Sequence, residues 1–221
     1  MKKIVYSLLF IGSIAFSQTE KKVGDFNKVT SFDKIDVLLI PSSENNIILN
    51  GSGSENVELV IKNGELKLKM PLSKIMSGDN VSATVYYKKI DAVEANEGSR
   101  IASEVVFKTT AFDIIAKEGS VVKLKIDCDR LAIKASDGSK VTLEGKVKNQ
   151  EILVSTGGVY AAEKLISNQS IITVNTGGKA TIYATDFVDA KVIAGGKIYI
   201  YGKPKQINEK KIAGGKIEEV K

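Results

Sequence analysis

Hydrophobic and polar residues alternate along most of this chain, and a glycine followed by another small residue interrupts the alternation at regular intervals. The pattern is clear in the segments VEANEGSRIAS, IIAKEGSVVKL, AIKASDGSKVTL and ITVNTGGKATI. The first glycines of successive repeats lie 18 to 21 residues apart, at Gly98, Gly119, Gly138, Gly157, Gly177, Gly195 and Gly214. A steady period of this length is typical of a solenoid, in which each repeat forms one coil.

Apolar residues recur at fixed distances from these glycines. Five residues before the glycine stand Val93, Ile114, Ile133, Ile152, Ile172 and Ala190. Three residues after it stand Ile101, Val122, Val141, Tyr160, Ala180, Ile198 and Ile217. Successive side chains of a strand point to opposite faces, so this period of two predicts a half-buried strand on either side of each glycine turn.

These features predict an all-β fold, a right-handed parallel β-helix with coils of roughly 19–20 residues and a less regular N-terminal β lobe. A coil of this length fits two arms of about six residues, because facing sheets lie about 10 Å apart. A left-handed hexapeptide helix would have a similar coil length, but the strict six-residue hydrophobic period is missing. The glycines are predicted to adopt positive φ at the corners, and Asn63-Gly64 predicts a β-hairpin.

The first residues differ from the rest of the chain. Lys2 and Lys3 precede the apolar run IVYSLLFIGSI, and Ala15 and Ser17 supply small residues before Gln18. This arrangement predicts a secretory signal peptide over residues 1–17. We expect a polar linker over 18–22 and one β-helical domain over 23–221, with the N-terminal lobe at 23–90 and the regular coils at 91–221.

The composition excludes several classes of site. The 221 residues contain no histidine, no tryptophan and one cysteine. Ser-His-Asp and Cys-His catalysis and histidine-ligated metals are therefore excluded, as is an internal disulfide. The formal charge is +6 and becomes +4 when Lys2 and Lys3 are removed. This modest basicity favours an anionic envelope surface or plain solubility over nucleic acid.

Charged residues form two columns beside the glycines. Glu97, Glu118 and Asp137 precede the glycine by one residue, and the basic residues follow it by two, at Arg100, Lys140, Lys179, Lys197 and Lys216. Stacked coils would place members of each column about 4.8 Å apart. The two columns either compensate each other's charge or form a groove that recognises a charged polysaccharide or a cation.

A second candidate site is the corner at Asp127 and Asp129. Two carboxylates at a suitable separation can perform glycoside chemistry, or bind calcium when more oxygens converge. Solvated corner residues are the alternative. Counting by twos from Val122 turns Cys128 inward, where it is expected to act as a small buried hydrophobe.

Three segments, DFNKVTSFDKIDVLLI, NVELVIKNGELKLKM and VSATVYYKKIDAVEANEGSRI, together with the later glycine coils, resemble the head GIN domain family. This family is described as putative auto-transporter adhesins and is common among exported proteins of Bacteroidetes-type bacteria. The resemblance covers nearly all of the chain after the leader. It implies a two-part β-helical domain and carries no catalytic residue over to this chain.

We therefore expect an exported, non-enzymatic protein of the periplasm, outer cell surface or secreted fraction. Its expected role is an adhesin or a binding or scaffold module that contacts a polysaccharide or a surface protein. No cofactor, metal or nucleic acid is expected, and no transmembrane segment in the mature chain. The alternatives are a polysaccharide lyase or hydrolase using Lys125, Asp127, Asp129 and Arg130, and a purely architectural subunit. The oligomeric state stays open.

Overall fold

The computed structural model describes residues 19–220, and these residues contain no α-helix. Two single turns of 3-10 helix cover Ser54–Asn56 and Leu72–Lys74. The strands are β1 (Thr19–Lys22), β2 (Lys28–Ser31), β3 (Asp36–Pro41), β4 (Asn46–Asn50), β5 (Glu58–Lys62), β6 (Glu65–Lys69), β7 (Ser82–Tyr87), β8 (Ala92–Ala95), β9 (Arg100–Ala116), β10 (Val121–Ala135), β11 (Lys140–Val154), β12 (Val159–Asn175), β13 (Lys179–Ile193), β14 (Lys197–Tyr201), β15 (Gln206–Ile212) and β16 (Lys216–Glu219). The predicted signal peptide lies outside the described residues.

The strands form a parallel β-solenoid of about seven turns. Strands β9 to β13 each contain 15 or 17 residues and pair in parallel with the next. Their first parts continue the row that contains β3 and β14, here called the first face. Their last parts continue the row that contains β8 and β15, here called the second face. The predicted fold class is confirmed.

The core consists of stacked columns of like side chains. On the second face Val93, Ile114, Ile133, Ile152 and Ile172 follow one another in register, and each is at most 2% exposed. The predicted inward column is therefore confirmed. Each isoleucine contacts its equivalents in the coils above and below, so burial of the whole column stabilises the stack by about 25 cal/mol per Å² of apolar surface.

Spatial order differs from chain order near the N-terminus. On the first face β3 lies between β7 and β9, and on the second face β2 lies between β6 and β8. After β1, the chain enters the inner coil of β2 and β3, moves outward through β4, β5 and β6, and returns through β7 to β8 and β9. Antiparallel strands complete this end: β4 and β1 on the first face, and β5, through the predicted Asn63-Gly64 hairpin, on the second. Thr19–Lys22, within the segment expected to be a linker, forms β1.

The C-terminal coil places charged residues at the end of the core columns. In the core columns of the second face, Glu209 stacks on Ala190 and Lys211 on Val192. The two side chains form an ion pair of 3.1 Å with each other. Charged residues at inward positions protect an exposed sheet edge against pairing with another chain. Residues 19–220 include no helix with the length and apolar character needed to cross a bilayer.

Candidate functional site

The corner that carries both charged columns is a two-residue turn in which both residues have positive φ. Glu97 has φ 53° and Gly98 has φ 72°, and positive φ at both positions recurs at 118–119, 137–138, 156–157, 176–177, 194–195 and 213–214. In the first five of these turns the fourth residue donates its N–H to the carbonyl of the first, as Ser99 does to Asn96 over 3.0 Å. Positive φ at both central positions defines a type I′ turn.

Peptide groups also join successive turns. The Gly98 N–H donates to the Glu118 carbonyl over 2.8 Å, and the Gly119 N–H donates to the Asp137 carbonyl over 2.9 Å. The small residue after the glycine adds a side-chain bond, since the buried Ser139 hydroxyl donates to the Ala116 carbonyl over 2.8 Å. Each turn is therefore fixed to its neighbours, and the side chains beside it project from a rigid edge.

The predicted acidic column occupies only the N-terminal half of this edge. Glu97, Glu118 and Asp137 lie at successive turns, and the later turns carry Thr156, Thr176, Ala194 and Ala213 at the same position. Partial burial and the negative charges of Asp33 and Glu118 raise the pKa of Glu97. Burial is the largest cause of this shift, and Glu118 is the one member of the column that contributes to it.

The predicted basic column lies on the first face, next to the turns. It runs in register through Arg100, Val121, Lys140, Val159, Lys179, Lys197 and Lys216. Arg100 pairs with Asp36, with 2.8 Å between Nη2 and Oδ2. Within residues 19–220, no ion pair joins the acidic turn residues to this column.

Three lysines of this column occupy consecutive coils, and two of them lie close to the ring of one tyrosine. Lys197 pairs in register with Lys179 on one side and Lys216 on the other. The Nζ atoms of Lys179 and Lys216 lie 5.4 and 5.9 Å from the ring centroid of Tyr199. Lys216 also forms an ion pair with Glu218. Tyr199 was not among the predicted site residues, although it lies two residues after Lys197, on the same face of β14.

The corner at 127–129 has a different structure. Asp127 pairs with Lys146 over 3.5 Å, and Asp129 pairs with Lys148 over 2.7 Å. Cys128 is buried as expected, and burial, together with the charges of Asp129 and Asp127, raises the pKa of its thiol to about 11. Each carboxylate thus has a lysine of the next coil as its partner. Across the part of the chain that the structure describes, no group of three possible metal ligands converges.

A shallow groove of about 430 Å³ lies near this corner on the second face. Arg130 lines it, together with Asp113 and Glu151, which flank Ala132 in register from the coils on either side. Gln150 also lines the groove, and its amide is fixed by hydrogen bonds of 2.7 Å from the Tyr160 hydroxyl and 2.9 Å to the Ser170 hydroxyl. The groove therefore carries charge of both signs, and the Gln150 side chain beneath it is buried.

Comparisons with solved structures identify the same architecture in other proteins. A putative adhesin from Bacteroides fragilis has a TM-score of 0.86 at 20% identity, over 94% of this chain and 98% of that chain. A putative adhesin from Parabacteroides merdae has a TM-score of 0.76 at 19% identity, over 95% of this chain and 98% of its own. A protein from Parabacteroides distasonis, described as a putative lipid binding protein, has a TM-score of 0.71 at 16% identity, over 93% and 96%.

At sequence identities of 16–20%, the similarity to these solved structures establishes the fold alone. A search of curated protein sequences finds no significant match. The family model described as putative auto-transporter adhesin, head GIN domain, matches residues 25–204. This match covers most of the chain, including the inserted N-terminal coils and the turn edge as far as Lys197. The chain therefore belongs to the head GIN domain family.

Proposed function

We propose that this protein is an exported, non-enzymatic binding module of the adhesin type, which contacts a polysaccharide or a surface protein through its turn edge. The observation that carries this proposal is the rigid stacking of the turns, which holds outward side chains in columns one coil apart. Seven residues of the two columns are proposed to face the ligand: Glu97, Glu118, Asp137, Arg100, Lys140, Lys179 and Lys197. Membership of an adhesin family supports the same role.

A binding screen tests this function. The purified protein from Gln18 onward is applied to arrays of glycans, peptidoglycan fragments and extracellular matrix proteins. We expect reproducible binding to at least one class, weakened by substitutions in the two columns and unchanged by substitution of exposed Lys134 on the second face. Consistent absence of binding across these arrays would contradict a binding role and would favour a purely architectural one.

The location of the protein is part of the proposal. The leader IVYSLLFIGSIAFS supports export by its charge and apolar pattern. We expect the protein to be recovered from the cell envelope or the medium with Gln18 as its first residue, as measured by intact mass and N-terminal sequencing. Recovery from the cytoplasm with Met1 retained would contradict export.

A polysaccharide lyase or hydrolase is the second candidate, and the groove near Arg130 favours it over other enzymes. Asp113 and Glu151 lie two coils apart, a separation of about 9–10 Å at the level of the backbone, near the range for inverting glycosidases. Both residues line the groove of about 430 Å³. Release of unsaturated or reducing ends from acidic polysaccharides, lost in Asp113→Asn and in Glu151→Gln, would establish this activity.

A further inference from the structure

We propose that Lys179, Lys197 and Lys216, the lysine triplet, form a binding site for an acidic polysaccharide, a sugar chain that carries carboxylate or sulfate groups. The inference rests on the proposed function, because it assigns a ligand class to one part of the turn edge. The three lysines lie on the outer side of the first face in consecutive coils. Their Cα atoms therefore follow one another at intervals of about 4.8 Å.

The triplet is a run of three facing lysines, whereas Lys191 and Lys210 form a single facing pair. Acidic residues of one coil regularly face lysines of the next, as in the ion pairs Glu104–Lys125, Asp127–Lys146, Asp129–Lys148, Glu144–Lys164 and Asp186–Lys205. In the triplet, lysine faces lysine on both sides of Lys197. Like charges on directly opposed residues of a sheet are destabilising. Only Lys216 has an acidic partner among the described residues, Glu218, so positive charge remains available for an anion.

Tyr199 prepares two of the lysines for binding. The Nζ atoms of Lys179 and Lys216 lie 5.4 and 5.9 Å from its ring centroid, within the range of a cation–π interaction. Lysine side chains lose considerable rotamer freedom when a ligand fixes them. Because Tyr199 already restricts these two, the entropy lost on binding is smaller.

The neighbouring turns do not cancel this positive charge. The turn residues next to the triplet are Thr176, Ala194 and Ala213, whereas the acidic residues Glu97, Glu118 and Asp137 occur only in the N-terminal half. Arg100, at that acidic end, is paired with Asp36. The turn edge is thus negative at one end and positive at the other, and a polyanion is directed to the triplet.

The geometry favours a polysaccharide over a nucleic acid. The Cα atoms of the three lysines follow one another in register across the sheet, at about 4.8 Å, a spacing similar to the length of one sugar ring in an extended chain. Single-stranded nucleic acids bind through bases that stack on free aromatic faces. Tyr199, the aromatic residue within the triplet, has lysine ammonium groups over its ring instead. Its ring therefore positions lysines and does not offer a stacking platform.

Calorimetric titration of the purified protein with polygalacturonate, dextran sulfate, neutral dextran and a single-stranded DNA oligonucleotide tests the site. We expect binding to at least one of the two acidic polysaccharides and none to neutral dextran. The variant Lys179→Gln/Lys197→Gln/Lys216→Gln should bind at least about tenfold more weakly and show a shallower salt dependence, since it removes three contacts that release counterions. The affinities for polygalacturonate and for dextran sulfate, when compared, show whether the site prefers carboxylate or sulfate groups.

The matched control is Lys146→Gln/Lys148→Gln/Lys164→Gln, which removes three positive charges from lysines that have acidic partners. We expect its affinity to stay within about threefold of the original protein. Equal weakening by both variants would show attraction to net charge and overturn the site. DNA binding as tight as that of the polysaccharides, with the same loss in the triplet variant, would replace the polysaccharide with a nucleic acid.

Two further outcomes separate this inference from the proposed function. If the protein binds a ligand in the array screen but neither acidic polysaccharide, the lysine triplet site is wrong and the binding role stands. If it binds nothing in either experiment, both are wrong. Unfolding of the triplet variant would not explain its weaker binding. Because the variant loses facing like charges, its thermal midpoint should equal or exceed that of the original protein.

Discussion

The isoleucine column of the second face shows what a single position contributes. Ile133 is 2% exposed and lies between Ile114 and Ile152. We expect Ile133→Asp to unfold the domain, because it buries an unpaired charge between stacked coils at a cost of several kcal/mol. Loss of the far-UV circular dichroism of the sheet is the measurement. The control Lys134→Asp changes the exposed neighbouring residue, and this variant should stay folded and be as stable as the original protein.

Two adjacent glycines are required for different reasons. Gly157 has φ 72° and an added Cβ would meet nothing within 4 Å, whereas a Cβ on Gly158 would lie 2.5 Å from the Ala135 carbonyl oxygen. We expect Gly157→Ala to lower the free energy of unfolding by about 1–2 kcal/mol, the cost of left-handed backbone for alanine. Gly158→Ala should cost more, since backbone must shift. Urea denaturation of both variants measures the order, and the reverse order would contradict this assignment.

At the scale of elements, a buried carboxylate holds the segment between β6 and β7. Asp33 is 4% exposed and accepts hydrogen bonds from the backbone N–H of Met70 and Met76 over 2.8 and 2.9 Å. We expect Asp33→Asn to lose about 1–3 kcal/mol of stability, because the amide nitrogen cannot accept one of these bonds. Amide hydrogen exchange should accelerate over residues 70–78.

The matched control for Asp33 is Asp79→Asn, which changes an exposed carboxylate near the same segment. It should leave both stability and exchange unchanged. If exchange over 70–78 is the same in Asp33→Asn as in the original protein, this carboxylate does not hold the segment.

At the scale of the whole molecule, an ion-pair network links the inserted N-terminal coils to the regular ones. Lys28 of β2 lies 2.6 Å from Glu94 of β8 and 3.1 Å from Glu65 of β6, and Lys117 lies 3.1 Å from Glu94. Burial by itself would raise the pKa of Glu94, but hydrogen bonds from Lys28 and Lys117 outweigh it and lower the pKa below its ordinary 4.5. Glu65 shifts in the same direction.

The lowered pKa values predict how stability depends on pH. Below about 4.5 the unfolded chain binds protons that the folded carboxylates still resist, so stability is lost as the pH falls through the folded pKa values. Glu94→Gln should be less stable at neutral pH by about 1–3 kcal/mol and should lose less stability between pH 5 and about 3. Chemical denaturation at a series of pH values measures both. An unchanged acid slope would show that Glu94 contributes nothing to it.

The charged residues of the C-terminal coil are expected to keep the molecule from self-associating. Glu209 and Lys211 place charge at the end of the core columns. We expect Glu209→Val/Lys211→Val to self-associate through the exposed apolar end, because inward charges prevent edge-to-edge contact. Sedimentation velocity should detect dimers or larger species. The control Glu163→Val/Lys210→Val makes the same change of charge at outward positions and should match the original protein.

The sequence alone determined the repeating part of this molecule. Coil length, inward columns and glycine corners are local patterns repeated at a constant period, so each repeat supports the same interpretation. The burial of Cys128 and the Asn63-Gly64 hairpin followed from the same alternation and from turn chemistry. The charged columns could also be predicted from the sequence, because residues at equal distances from the glycines stack on one another in successive coils.

Only the tertiary structure decided the features that depend on contacts between distant segments. The insertion of β2 and β3 between later coils leaves no periodic signal, since neighbouring strands there are about 35 to 65 residues apart in the chain. The same holds for the Asp33 contacts and for the pairing of Arg100 with Asp36. Left-handed backbone at Glu97 and its equivalents has no residue signature, because stacked turns stabilise it where glycine is absent. Tyr199 becomes part of a site only when three coils bring the lysines around its ring.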